Sequence, residues 1–315
     1  MSVAAADRRI RSLRPPKWYV DPETAHGFVI EDERRPDGTI ERALTIFLAG
    51  AECPFTCSFC DLWRYTVDGP TPPGALTRQL SQVLATLGEP LPDRLKLYNA
   101  SNFFDQRAVP PQDVVGLAAL AAPFAAVTVE SHVNTIGAAT IAFADQLDGR
   151  LEVAVGLETI EPAAVAHLNK RLDLARFESG ARFLVQRHID LRVFVLLGAP
   201  YVPAAASVEW TVRTVEHAVR CGASVVAIIP VRGGNGEMER LHALGQFTPP
   251  TLVQLESALD ECLGFRDVVV TADLWDVARL HACAHCRPAR TARLQRVNTS
   301  GRGEPRVTCA QCGGA

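Results

Sequence analysis

Long uncharged runs are missing from this chain. No window of its 315 residues is apolar for long enough to cross a bilayer. The start also lacks the layout of a secretory leader, because alanines and arginines alternate up to Pro16 and no apolar stretch with a small-residue cleavage site follows. We therefore expect a cytoplasmic protein with no membrane partner. Lysine is scarce: Lys17, Lys96 and Lys170 are the only three, so almost all of the 32 basic residues are arginine. With so much alanine, that skew reflects a GC-rich bacterial genome rather than chemistry. A strong excess of either charge is absent too. The net of −3 excludes a protein that coats nucleic acid by bulk charge, though not one with a local basic face. Internal repeats and low-complexity tracts are not found.

What is present supports a large core, with 48% hydrophobic residues in a length suited to one large α/β domain with appendages. After a mobile arm over residues 1–16, apolar segments at 28–31 and 40–44 flank Pro36-Asp37-Gly38 and read as a hairpin. Apolar strands then alternate with helical patterns. The strands are 44–49, 95–98, 126–130, 151–157, 191–197 and 225–229. Helices fall at 74–87, 110–122, 173–186 and 207–220, the third behind Asp173 as its N-cap. A helix over 250–263 leads to an edge strand at 268–270. This alternation is the signature of parallel βα units, which place ligands at the carboxyl ends of their strands.

Nine cysteines in a reducing compartment point to metal or catalysis rather than disulfides. Cys221 and Cys262 stand alone in helix-like segments and are read as packing. Cys53, Cys57 and Cys60, spaced C-x3-C-x2-C, lie on the loop leaving the first strand of the alternating set. Three thiolates suit an iron–sulfur cube with one iron left open, whereas zinc needs a fourth ligand that this loop does not hold. Phe59, just before the last thiol, is suited to packing against a flat ring.

The loop resembles the motif of the radical S-adenosylmethionine (SAM) superfamily. The resemblance implies a partial (βα)6 TIM-like barrel, a [4Fe-4S] cluster on the three thiolates, bound SAM, and an external electron donor such as flavodoxin or ferredoxin. It also implies that Asn99 and Ser101, after the second strand of the set, hold the amino group of SAM. Glu158 would sit near its ribose or methionine end, and Lys170 or Arg171 would meet its carboxylate. Each has an ordinary alternative: Asn99 and Ser101 as local turn formers, Glu158 as a charge at a helix N-terminus. By their place at the rim, Glu130 and His132 are assigned to substrate, with Asn102, Arg232, Asn235 and Asp273, and Pro230 to the cofactor.

Beyond the barrel, Cys283-x2-Cys286 and Cys309-x2-Cys312 form two knuckles that suit one structural zinc or an auxiliary iron–sulfur cluster, with His281 and His285 close but not needed. The arginine-rich stretch between them reads either as a tethered loop for phosphates or as a solvated charge run. The expected organisation is an arm and hairpin at 1–43, the barrel at 44–280 and a metal-binding segment at 281–315, docked beside residues 273–276.

Segments such as Cys-Asp-Leu-Trp, Val-Glu-Ser-His, Gly-Leu-Glu-Thr and Leu-Asn-Lys-Arg are similar to bacterial relatives of the radical SAM subunit of archaeosine synthase. Three readings follow. The chain is an enzyme taking hydrogen from a polar, nucleoside- or sugar-like small molecule in biosynthesis; a lyase on a modified deazaguanine base in tRNA; or a non-catalytic zinc- and nucleic-acid-binding protein.

Overall fold

The computed structural model describes residues 2–313. Its eight strands form one sheet whose spatial order is the chain order: β1 (Gly27–Arg34), β2 (Ile40–Phe47), β3 (Arg94–Tyr98), β4 (Ala126–Ser131), β5 (Arg150–Glu158), β6 (Asp190–Leu197), β7 (Val225–Pro230) and β8 (Val269–Ala272). Strands β1 and β2 are the expected antiparallel hairpin, closed by a turn in which Gly38 takes φ +86°. Every later pair is parallel, and the sheet curls into a nearly closed barrel.

The helices are α1 (Val3–Ser12), α2 (Ala75–Ala85), α3 (Pro111–Ala121), α4 (Ala138–Ala144), α5 (Pro162–His167), α6 (Leu174–Val185), α7 (Ser207–Arg220), α8 (Glu237–Ala243), α9 (Leu252–Cys262) and α10 (Arg287–Ser300). Local chemistry sets several starts. Asp173 accepts the Arg176 amide at 2.7 Å and begins α6, as its sequence predicts. Thr251 and Gln254 form a reciprocal capping box at α9.

Side chains alternate along the parallel strands, so each strand feeds two different interiors. Leu95 and Leu97, Val127 and Val129, and Leu191, Val193 and Val195 face the helices and build the main apolar core. Their neighbours Arg94, Lys96, Thr128, Glu152 and Arg192 are buried on the other face, inside the barrel, where they form an ionic floor. Arg94 donates to Glu41 at 2.5 Å and to Thr128 at 2.9 Å, while Arg192 reaches Glu152 at 2.7 Å and Glu33 at 2.8 Å. Lys96 also pairs with Glu33. Burial would raise the Glu33 carboxyl, but Arg192 and Lys96 outweigh it and hold it at about 2. Glu41 has less compensation, and burial lifts it to about 7.

Two expectations fail. Residues 3–12 are not a mobile arm: Ser2 caps a helix that buries Ile10 and is pinned by Asp7 to Arg171 at 2.5 Å and by Arg9 to Glu237 at 2.9 Å, with Arg14 fixed to Glu52 at 2.8 Å just beyond it. Nor is the arginine-rich stretch a tethered loop. It forms α10, where Arg290 pairs with Glu256, Arg293 with Asp260 at 2.7 Å and Arg296 with Glu304 at 2.8 Å, and Arg306 beyond it reaches Asp260 at 3.1 Å. Those acids lie mostly on α9, distant in sequence, so arginine spacing alone did not reveal them. Helix α10 packs against β1 and β8, the two sheet edges that do not pair with each other, and the Asn298 amide bonds both the N–H and the C=O of Ala272.

Candidate active site and metal centre

The loop carrying Cys53, Cys57 and Cys60 leaves the carboxyl end of β2, held at its root because Gln79 brackets both backbone groups of Ala49, at 2.8 and 3.1 Å. Further along, four elements clamp it. From beyond β3, Asn102 donates to the Cys53 sulfur at 3.2 Å while its carbonyl accepts the His132 amide at 2.6 Å. The Ser58 amide donates to Leu168 O at 2.9 Å. Beyond β7, the Asn235 side chain donates to Ser58 O at 2.8 Å and Cys60 O at 3.1 Å, and accepts the Met238 amide. Outside, Asp7 of α1 accepts from Thr56 at 2.5 Å and from Asn169 at 2.9 Å. Burial pushes the Cys57 thiol up to about 12 and raises Cys53 and Cys60 as well. Thiolates there call for a compensating cation, which iron bound at the loop would provide.

Beside this loop lie groups with nothing to bind. Both side-chain polar atoms of Asn99, and the Ser101 hydroxyl, are buried without a hydrogen-bond partner. A buried polar group is normally satisfied, so these side chains are left free to meet a ligand or water. Glu130 explains how they are presented. Its carboxylate accepts the amides of Asn99, at 2.8 Å, and of Ala100 and Ser101, and burial still raises it to about 7. Ala100 takes φ +53°, a conformation that this bonding sustains.

Opposite, Glu158 and Lys170 form a buried ion pair in the space where Gly156 has no side chain; a Cβ there would stand 2.0 Å from the carboxylate and 2.5 Å from the ammonium. Glu158, Asn169 and Arg171 all have positive φ, at 69°, 55° and 58°. Such strain clusters where the surroundings over-determine it. Between Lys170 and Arg171 the geometry distinguishes: Lys170 faces inward, 6.0 Å from the Phe59 ring, and Arg171 faces outward over Phe55 and onto Asp7.

Several residues assigned to substrate are instead engaged in holding the loop. Asn102 and Asn235 bind its backbone and Cys53, Glu130 binds the 99–101 backbone, and His132 contacts Lys170 O at 3.0 Å and stacks on Phe55 at 4.1 Å. Sequence position put them at the rim; only packing shows that their polar atoms are already used. Thr56, Asp7 and Asn169 were missed, having no motif of their own. Arg232 and Asp273 do line a cavity of about 270 Å³ with Pro230, Pro250 and Asp276, at the carboxyl ends of β7 and β8. There Arg232 pairs with Asp276, and burial raises the Asp273 carboxyl. Trp275 packs on Phe47 at 5.3 Å across the mouth.

The sulfurs of Cys283, Cys286, Cys309 and Cys312 all lie within 4.8 Å of one another, with Cys286 and Cys312 at 3.9 Å. A tetrahedral ion with 2.3 Å bonds sets its ligands about 3.8 Å apart. Among the described residues this is the one group of three or more such ligands converging so closely. A cube spreads its thiolates over separate irons, so the donor set fits a single ion. The amides of Cys312 and Gln311 hold the Cys309 thiol at about 7, favouring the thiolate a metal needs. The segment packs on β1 and β8, is tied to α9 through Arg290 to Glu256 and His281 to Leu252, and comes beside Asp273 through Asn298 on Ala272.

No protein-family model and no curated protein sequence matches the chain. Solved structures do. Methylornithine synthase (PylB) superposes with a TM-score of 0.56 at 14% identity, over 82% of this chain and 69% of that one. Elp3 from the archaeon Methanocaldococcus infernus, lacking its N-terminus, gives 0.52 at 13%, over 77% and 62%; Streptococcus suis SuiB gives 0.51 at 10%, over 75% and 48%. The fold is that of the radical SAM enzymes. The chain thus spans less than two thirds of the Elp3 chain it matches. Among the described residues, no helix is long and apolar enough to cross a membrane.

Proposed function

We propose that this chain is a radical SAM enzyme that takes hydrogen from a polar small molecule in a biosynthetic pathway. One juxtaposition carries the reading: three thiols spaced C-x3-C-x2-C at the carboxyl end of the first parallel strand, beside the unpartnered polar atoms of Asn99 and Ser101. When bound there, a [4Fe-4S] cluster supplies the electron that splits SAM into methionine and a 5′-deoxyadenosyl radical. Cys53, Cys57 and Cys60 hold the cluster, and Asn99 and Ser101 receive the amino end of SAM. The Glu158–Lys170 pair presents an ammonium to its carboxylate. Phe59 and Pro230 give apolar surface for the adenosyl group, and Asn102, Asn235, Glu130 and His132 fix the loops that do the binding. An external flavodoxin or ferredoxin supplies the electron.

For the substrate, the 270 Å³ cavity supports a small molecule, and its Arg232, Asp273 and Asp276 support a polar one, nucleoside- or sugar-like. The alternative of a lyase on a deazaguanine base in tRNA, with the kinship to the archaeosine synthase subunit, leans on the arginine stretch, most of whose charges are engaged in internal ion pairs. At the four C-terminal thiols we propose a structural zinc. A purely zinc- or nucleic-acid-binding role leaves the three-thiol loop unexplained.

Anaerobic reconstitution with iron and sulfide, followed by dithionite and SAM, tests the reading. Brown protein should yield methionine and 5′-deoxyadenosine in equal amounts. Protein that binds four irons yet yields neither product, with any nucleoside or sugar substrate offered, overturns it.

A further inference from the structure

We propose that the outer face of the three-thiol loop, formed by α1 and residues 62–65, is the docking surface for a small acidic one-electron carrier protein. This rests on the radical SAM reading, in which the cleavage of SAM needs an electron supplied from outside the chain.

Place is the first argument. Leu62–Tyr65 is a single 3-10 turn that begins two residues after Cys60, so its outer surface is the outside of the loop that carries the thiols. Trp63 points inward and is buried, with the Arg14 and Arg64 guanidinium groups 4.6 and 5.3 Å from its ring. Leu62 and Tyr65 point outward, 37% and 39% exposed, and Trp18, 54% exposed, stands edge-on to Tyr65 at 5.8 Å. Leu13, at the end of α1, is exposed with its carbonyl against Gly236, while Arg64 reaches towards Gly234 in the same turn. Grouped aromatic and aliphatic side chains left to solvent mark an interaction surface more than isolated ones do.

Charge names the partner. Arg8 and Arg11 stand one turn apart on the exposed side of α1; among the described residues neither they nor Arg64 make a salt bridge, although the charge of Arg11 also acts on Asp7. The carboxylates nearby are already engaged: Asp7 by Arg171, Glu52 by Arg14, Asp68 by Lys17, Glu237 by Arg9 and Arg240, and Glu239 by the Gly234 and Gly236 amides. The charge of Asp61 acts on Arg232. The face is therefore apolar at its centre and positive at its rim. It matches an acidic carrier, and a small, charge-steered contact is what a transient redox encounter requires. The ion pairs that pin α1 hold Arg8 and Arg11 at fixed positions beside the loop, which a mobile arm would not do.

The test is the double charge reversal Arg8→Glu and Arg11→Glu in the reconstituted full chain, with a flavodoxin and a ferredoxin as probes. Binding of each oxidised carrier is titrated at low and high salt, and SAM cleavage is driven in parallel by reduced carrier or by dithionite. The wild type should bind at least one carrier in a salt-sensitive way. The double variant should bind it about tenfold more weakly, with carrier-driven cleavage falling by a similar factor and dithionite-driven cleavage within about twofold of wild type. Wild-type protein that binds neither carrier, or a variant that binds as well as wild type, overturns the proposal. So does an equal fall with dithionite, which would mean the loop itself was disturbed. If bulk tRNA binds the wild type but not the variant, while carrier binding is unchanged, the face serves nucleic acid instead. Salt-sensitive, variant-sensitive carrier binding in a protein that never cleaves SAM would uphold the docking face and sink the radical SAM reading alone.

Discussion

The chain carries two cysteine sites, and they are built on opposite principles. Cys283, Cys286, Cys309 and Cys312 converge within 4.8 Å, and their set is complete. Cys53, Cys57 and Cys60 do not converge in that way. They sit half-buried on one loop, and the side-chain polar atoms of Asn99 and Ser101 beside them have no hydrogen-bond partner among the described residues. A closed set satisfies a metal and stops there, whereas an incomplete set beside unsatisfied donors leaves room for another molecule. Under the proposed function, that difference distinguishes a structural ion from a catalytic cluster more sharply than the thiol count does.

The contrast breaks most completely in the first loop. Cys53→Ala, Cys57→Ala and Cys60→Ala should each abolish SAM cleavage, because a cube lacking one thiolate no longer keeps a single iron open. Full turnover by any one of them after anaerobic reconstitution would remove the cluster assignment. The knuckles should respond differently: Cys286→Ala should lose the C-terminal ion and loosen residues 281–313 while the loop cluster still assembles. Metal analysis sharpens this, since about four irons and one zinc per wild-type chain supports two unlike sites and about eight irons makes them alike.

Smaller effects separate binding from positioning within the open site. Glu158→Gln should weaken SAM binding about tenfold by removing the partner that fixes Lys170. Glu130→Ala should do the same, because it frees three amides that shape the Asn99–Ser101 segment, and Glu130→Gln should recover most of the loss by keeping an acceptor. Glu130→Ala with normal SAM affinity and poor substrate turnover would return that residue to the substrate side. Beneath the site, Glu152→Ala would leave Arg94 and Arg192 buried with less compensation and should cost about 3–5 kcal/mol of stability without selective loss of either metal.

The slightest effect is a pH slope. Glu41 is lifted by burial from 4.5 to about 7, so the folded state binds its proton more tightly than the unfolded state does. Its contribution to stability should therefore be greatest below about 4.5 and decline as pH rises through about 7. Thermal melts of wild type and Glu41→Gln between pH 5 and 8 should differ in slope, and parallel curves would remove Glu41 as the source.

What the sequence determined by itself was local. Alternation of apolar strands and helical patterns placed every parallel strand of the barrel, because period and turn chemistry are written along the chain. The three-thiol loop and the paired knuckles were equally legible, since their ligands lie a few residues apart. Tertiary structure decided the rest. The strands were read as apolar, yet Arg94, Lys96, Glu152 and Arg192 line the barrel interior; a buried charge is tolerable only beside its counter-ion, and those counter-ions come from other strands. Helix α1 looked like a loose arm because what orders it, Arg171, Glu237 and Thr56, lies far along the chain. The arginines of α10 looked like a surface for phosphates because Glu256 and Asp260 meet them only when α9 packs alongside. Asn99 and Glu130, both polar residues at strand ends, differ in a way the sequence did not carry: the fold uses the carboxylate of Glu130 to hold the 99–101 backbone and leaves the side-chain amide of Asn99 without a partner among the described residues.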